Sequence, residues 1–257
     1  MNVLNLTYKG QIKTIQGASV WSEVTKEQLL LWVAVMHGNA NDEIKLQMAL
    51  LIFYGIDLKT FFKLKEAHRI QLTPSLKNLI SRNSLYRWLI PSIKVRFKRY
   101  YGPADALRNL TAHEFFNVCE PLYFKYKADN NPDTLNALCA ALYREKRQGL
   151  IDNDIRCDLT DEGIEKRLKK FRRVRMNTKL AIAFNYEGCR NSISAHRDYK
   201  LAFEGKQGKS KRKGDVTLSL AGGPLGDHEK TKKTNLYTFL LHLVNLIEQE
   251  DELKSKQ

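Results

Sequence analysis

The chain has 257 residues, 43% of them hydrophobic, and a formal net charge of +15 from 43 Lys and Arg against 28 Asp and Glu. That length and apolar content are enough for a substantial core in one large domain or two small ones, which argues against wholesale disorder. A positive surplus this large draws polyanions or acidic protein surfaces, and it bears on partners and solubility rather than on fold.

The first residues, MNVLNLTYKGQIKTI, lack the basic start, continuous apolar run and small-residue cleavage site of a secretory signal, so the chain is expected to stay where it is made. Within them apolar and polar residues alternate on both sides of Lys9-Gly10. This predicts a short β-hairpin, with Gly10 available for positive φ. Helices follow. Thr25 and Gln28 form a capping box ahead of LLLWVAVM, and Gly38 supplies a stop. Asn41 can cap a second helix in which Ile44, Met48, Leu51 and Ile52 recur at helical spacing until Gly55. A third, near Asp57, carries Leu58, Phe61, Phe62 and Leu64. The pattern from Thr73 to Trp88 predicts another, with Pro74 in its first turn. From Leu89 to Asn109 the residues Pro91, Gly102 and Pro103 interrupt a basic, aromatic run, read as an extended connection.

Thr111 and Glu114 form a further capping box leading into FFNVCEPLYFKYK, with Pro121 expected to kink the helix. Pro132 opens a helix striped by Leu135, Leu138, Cys139 and Leu142. Thr160 to Glu187 is predicted as the longest helix, with Ile164, Leu168, Phe171 and Val174 in register. A Gly-, Lys- and Ser-rich basic loop over 205–214 precedes a closing helix from about Asp227 or His228 to Leu253, with Leu236, Leu240, Leu243 and Ile247 facing inward. The expected fold is mainly α: bundle-like helical domains with a short N-terminal β-hairpin. Its organisation is a hairpin plus helical lobe over 1–90, a connection over 91–110 and a second helical lobe over 111–257. No apolar stretch approaches the roughly 20 residues needed to cross a bilayer, so no membrane partner is expected.

No catalytic constellation emerges. His113-Glu114 and His228-Glu229 lack the second His that would put two zinc ligands on one helix face. Asp152, Asp154 and Asp158 resemble the start of a calcium loop, but Arg156 occupies its fifth position and Gly163 its twelfth. Gly222, Gly223 and Gly226 lack the Gly-Lys-Ser/Thr ending of a phosphate loop. Cys119, Cys139, Cys157 and Cys189 are too widely spaced for a CxxC pair, and reduced, partly buried thiols are the simpler reading. No cofactor, metal or enzymatic activity is expected.

The charge is concentrated in KRLKKFRRVR (166–175), KQGKSKRK (206–213) and KVRFKR (94–99). A solvated helix face is the plainer reading of the first. The competing reading is a phosphate-backbone surface made by Lys166, Arg167, Lys169, Lys170, Arg172, Arg173 and Arg175 with Lys94, Arg96, Lys98 and Arg99. Phe97, Tyr100 and Tyr101 interleave with the second set of cations, as a single-strand platform requires. Trp21, Trp32, Trp88, Tyr100 and Tyr101 are candidate interface anchors, with core placement the alternative for each.

Three stretches carry a resemblance: ASVWSEVTKEQLLLWVAVM, LTAHEFFNVCEPLYFKYKADNNPDTLNALCAALYRE, and the region from AIAFNYEGCRN to LSLAGGPLGDHEKTKKTNLYTFLLHL. Together, over about half of the chain, they resemble helical proteins encoded in the tail-assembly regions of phages and prophages. The chain departs from that pattern in having Leu225 before Gly226, where the pattern has an aromatic, and in its basic 206–213 loop. The resemblance implies a non-enzymatic structural protein or assembly chaperone of a phage-like particle. Its partners would be other particle proteins or a second copy, in the host cytoplasm or the virion. A nucleic-acid-binding protein using the 166–175 helix is the alternative.

Overall fold

The structure, a computed structural model, describes residues 2–8, 11–63, 69, 73–149, 154–204 and 226–255. The 205–214 loop, Gly10, Leu64, Asp152, Gly222 and Gly223 fall outside the described residues, and with them the expectations placed there.

The fold is mainly α. Strands β1 (Asn2–Tyr8) and β2 (Gln11–Gly17) pair antiparallel from Asn2↔Gly17 to Tyr8↔Gln11, as the alternation predicts. Helix α1 (Lys26–Met36) starts on the reciprocal Thr25–Gln28 capping box, and α2 (Asp42–Tyr54) starts on the Asn41 side chain and stops at left-handed Gly55. Helix α3 (Leu58–Lys63) begins where Asp57 accepts from the Thr60 amide.

The Thr73–Trp88 expectation is corrected: a 3₁₀ turn (Thr73–Leu76) and short α4 (Lys77–Ser81) are followed by irregular chain. Side-chain hydrogen bonds to and from another helix tie that segment down outside helical geometry. Asn185 Oδ1 accepts from the Leu89 amide at 2.9 Å and its Nδ2 donates to the Arg87 carbonyl at 2.8 Å. Asn83 Nδ2 donates to the Phe184 carbonyl at 2.6 Å.

The 91–110 segment contains β3 (Ser92–Val95) and β4 (Lys98–Tyr101), an antiparallel hairpin with a two-residue turn at Arg96-Phe97. Beyond it the Thr111–Glu114 box opens a π-helical stretch (His113–Cys119) that passes into α5 (Glu120–Asp129). Pro121 lies in the first turn of α5, where its missing N–H removes an ordinary i→i−4 bond, and the Glu120 amide instead bonds the Phe115 carbonyl. Helix α6 (Pro132–Leu142) is the most buried element, capped by Asn131.

The long 160–187 helix is also corrected. It is two helices, α7 (Asp161–Phe171) and α8 (Met176–Ala195), separated by 172–175, where Arg175 at φ −56° and ψ 139° leaves helical geometry. Both pack against α6 and bury different faces, Arg167 and Phe171 on α7 and Leu180, Ile182 and Tyr186 on α8. The closing helix divides in the same way. After short α9 (Lys200–Phe203), α10 (His228–Lys233) stops at Thr234 and α11 (Leu236–Ser255) follows. At the break the chain runs extended to pair with 110–112: the Ala112 amide bonds the Thr234 carbonyl at 2.9 Å, and Leu236 bonds Leu110 at 2.9 Å. Buried side chains from Ile15 and Trp21 through Leu138 to Leu240 belong to one continuous cluster. All four cysteines are free. Burial pushes the Cys139 and Cys189 thiols up to about 12 and raises Cys119 as well.

Candidate polyanion interface

The interface is built from the core outward. Trp88 Nε1 donates to the Tyr143 hydroxyl at 3.1 Å, and that hydroxyl donates to the Ile90 carbonyl at 2.5 Å. The Tyr143 ring meets Phe171 at 6.2 Å, and Phe171 meets Tyr100 edge-on at 5.5 Å. This aromatic series fixes the last turn of α7 against β4. At the root of the hairpin, Tyr101 and Arg144 exchange backbone hydrogen bonds of 2.8 and 3.1 Å. The two basic runs, 94–99 and 166–175, are thereby brought side by side.

Register divides the hairpin into two faces. Val95 and Tyr100 turn inward and are buried, while Lys94 and Arg99 sit opposite one another on the outer face, both exposed. Directly opposed like charges destabilise a strand pair. The turn is equally unfavourable to the fold. Arg96 takes φ 54°, where Gly, Asn or Asp is the usual choice, and Phe97 is 97% exposed. Leaving that ring in water forgoes about 1.5–3 kcal/mol of burial energy. No aromatic or cationic side chain among the described residues stacks on it.

Two hollows flank the hairpin. One, of about 390 Å³, is lined by Arg96, Phe97, Lys98, Tyr100, Lys169, Lys170 and Arg173. The other, of about 450 Å³, is lined by Lys26, Lys94, Arg96, Arg173 and Arg175 with Ile93 and Thr178 among its other walls. Neither has an acidic residue in its lining.

The predicted cations separate into two groups. Lys166 pairs with Glu162, Arg172 with Asp133 at 3.2 Å, and both Arg167 and Lys170 reach Glu145, at 3.6 and 3.8 Å. Arg167 is not a surface residue. It is buried, donates to the Ala140 carbonyl at 2.7 Å, and has its pKa lowered by that burial, against the pull of Glu145. Among the described residues, Lys94, Arg96, Lys98, Arg99, Lys169, Arg173 and Arg175 have no carboxylate within 4 Å. These seven are the ones around the hairpin and the end of α7, next to Lys170, whose ammonium lies 5.7 Å over the Tyr100 ring.

Of the candidate interface anchors, Trp21, Trp32, Trp88 and Tyr100 are buried and Tyr101 is half-buried. Trp21 packs on Phe53 and Phe184 and donates to the Arg82 carbonyl, so the indole's hydrogen-bonding and apolar demands are met inside. The exposed aromatic of this surface is Phe97. Lys26 also lines this surface, and nothing in its position at the start of α1 signals in the sequence that it lies near the hairpin.

A larger hollow, about 840 Å³, lies at the start of the π-helical stretch, where His113, Glu114, Asp154, Asp158 and Glu229 gather. Each carboxylate there has a cationic partner: Glu114 with Arg144, Asp154 with Arg156, Asp158 with Arg147, and Glu229 with Lys232. It is therefore a self-neutralised ion-pair cluster, whereas the hairpin surface carries unbalanced charge. Among the described residues no three His, Cys, Asp or Glu side chains are grouped to hold a metal, and no helix is long and apolar enough to cross a membrane. In comparisons with known proteins, no family model matches the chain, and no curated protein or solved structure is found to be similar to it.

Proposed function

We propose that this is a non-catalytic binding protein that takes a nucleic acid, by its phosphate backbone, on the surface formed by the β3–β4 hairpin and the end of α7. The observation that carries this reading is the convergence of two distant basic runs, in which six cations with no carboxylate within 4 Å among the described residues (Lys94, Arg96, Lys98, Lys169, Arg173 and Arg175) line two hollows with no acidic residue in their walls. A solvated helix face would be expected to carry its charges as scattered, locally compensated pairs, as Lys166–Glu162 does. Binding of this kind releases condensed counterions, so its affinity falls steeply with salt.

The test is fluorescence anisotropy with labelled DNA across a salt series. Wild type should bind at low salt, and a Lys169→Gln, Arg173→Gln, Arg175→Gln variant should lose roughly 0.7–0.9 of log–log slope for each phosphate contact removed. Wild type that binds no DNA or RNA at low salt ends this reading.

A second reading, a structural protein or assembly chaperone of a phage-like particle acting through protein contacts, is favoured by the exposed apolar residues of α3, Leu58 and Phe62, the latter 73% exposed. It predicts self-association or capture of a particle protein encoded nearby. A strictly monomeric protein that captures none counts against it.

A further inference from the structure

Resting on the nucleic-acid reading, we propose that the partner is single-stranded, and that Phe97 is the residue on which a base stacks while the cations on either side of the hairpin hold the adjoining phosphates. The turn is costly to the fold. A hairpin of this length folds best with Gly, Asn or Asp at its tip, yet here an Arg at φ 54° presents a phenylalanine almost wholly to water. Local preferences are broken in this way chiefly where a side chain serves something outside the fold.

The surroundings of the ring then specify the ligand. Arg96 and Lys98 adjoin it in sequence, Lys169, Lys170 and Arg173 share its hollow, and Lys94 and Arg175 lie in the hollow on the other side. An apolar plane between cations matches a polymer that alternates apolar planes with anions. In a single strand the bases are free of pairing partners, so an exposed ring can stack on a base π-face without opening any base pair. In a duplex those faces are covered by neighbouring base pairs, and a ring reaches them only by unstacking a step. Stacking discriminates little between bases, because each presents a π-face, so the contact is expected to tolerate any sequence.

The experiment compares a fluorescein-labelled oligothymidylate with a fully paired duplex of equal length, against wild type, Phe97→Ala and Phe97→Trp, with thermal melting as the control for folding. The single strand should bind more tightly than the duplex. Phe97→Ala should weaken the single strand by roughly 5- to 150-fold, the range for loss of one stacked base, and leave the salt slope unchanged. Phe97→Trp should retain wild-type affinity, with tryptophan emission quenched on binding. Equal affinity for both forms with no effect of Phe97→Ala overturns the stacking inference and leaves the nucleic-acid reading standing. A duplex preference sensitive to Phe97→Ala overturns it in favour of a groove wedge. Failure of wild type to bind either probe at low salt removes the reading itself and this inference with it.

Discussion

Two tyrosines of the same aromatic series have opposite hydrogen-bonding circumstances. The Tyr143 hydroxyl accepts from Trp88 and donates to Ile90, whereas the buried Tyr100 hydroxyl has no partner among the described residues. Removing a buried hydroxyl that makes two bonds strands both partners, at about 1–3 kcal/mol for each group left unsatisfied, while removing an unpartnered one relieves a desolvation cost already incurred. Tyr143→Phe should therefore lower stability by at least about 1 kcal/mol, and Tyr100→Phe should be neutral or stabilising. Urea unfolding of the two variants measures the difference directly. A Tyr100→Phe variant destabilised as much as Tyr143→Phe would mean that the Tyr100 hydroxyl has a bonding role the geometry does not reveal.

At the scale of elements, starts were legible and breaks were not. Thr25, Asn41 and Thr111 make the capping bonds expected of them, and the helices expected at Pro132 and after Thr160 start there, on the side chains of Asn131 and Thr160, because a cap is a local bond between a side chain and an amide two or three residues on. The breaks at 172–175 and at Thr234 have no Gly or Pro to announce them. Each is imposed by packing, the first by two helices burying different faces on α6 and the second by pairing with 110–112. The β3–β4 hairpin was hidden for a related reason. Its tip, Arg96-Phe97, is chemically the wrong turn, and its two short strands read as broken basic chain. Both basic runs were visible, but their meeting depends on the Tyr100–Phe171 contact between positions far apart in sequence. Gly188 shows the same non-local logic. A Cβ there would lie 2.5 Å from Asn83 Oδ1 and 2.6 Å from the Leu85 carbonyl, so α8 can lie this close to the extended 83–89 segment only with glycine at that point. Gly188→Ala should lower the melting temperature despite the better helix propensity of alanine, and by more than Asn177→Ala at a solvent-exposed position on the same helix. Equal melting temperatures for the two variants would refute the close approach.

On the scale of the whole molecule, segments distant in sequence are joined by buried ion pairs as well as by the apolar cluster. Arg144 donates to both oxygens of Glu114, at 2.6 and 3.1 Å, and reaches Asp154. Arg156 also grips Asp154 and bonds the Leu142 and Asn109 carbonyls. Both guanidiniums are almost wholly buried, so removing one partner leaves an uncompensated charge and costs about 3–5 kcal/mol. Two carboxylates should then shape the acid limb of stability with opposite signs. Burial alone would raise the Asp154 pKa, but hydrogen bonds and charge from Arg156 more than reverse this and hold it below the usual 3.8. Its contribution is present above the unfolded pKa and is lost as pH falls through the depressed folded value. Glu120 is raised above 4.5 by burial, against the pull of Arg190 and the Tyr186 hydroxyl. Its contribution is present below the unfolded pKa and is lost as pH rises through the folded one. Asp154→Asn should therefore flatten the fall in unfolding free energy below about pH 4, whereas Glu120→Gln should leave that fall unchanged and abolish a gain in stability that wild type shows as pH falls through the raised Glu120 value towards 4.5. Urea midpoints measured from neutrality into that range decide the matter. An acid limb unchanged by Asp154→Asn would show that the Arg156 pairing does not hold the charged form in solution.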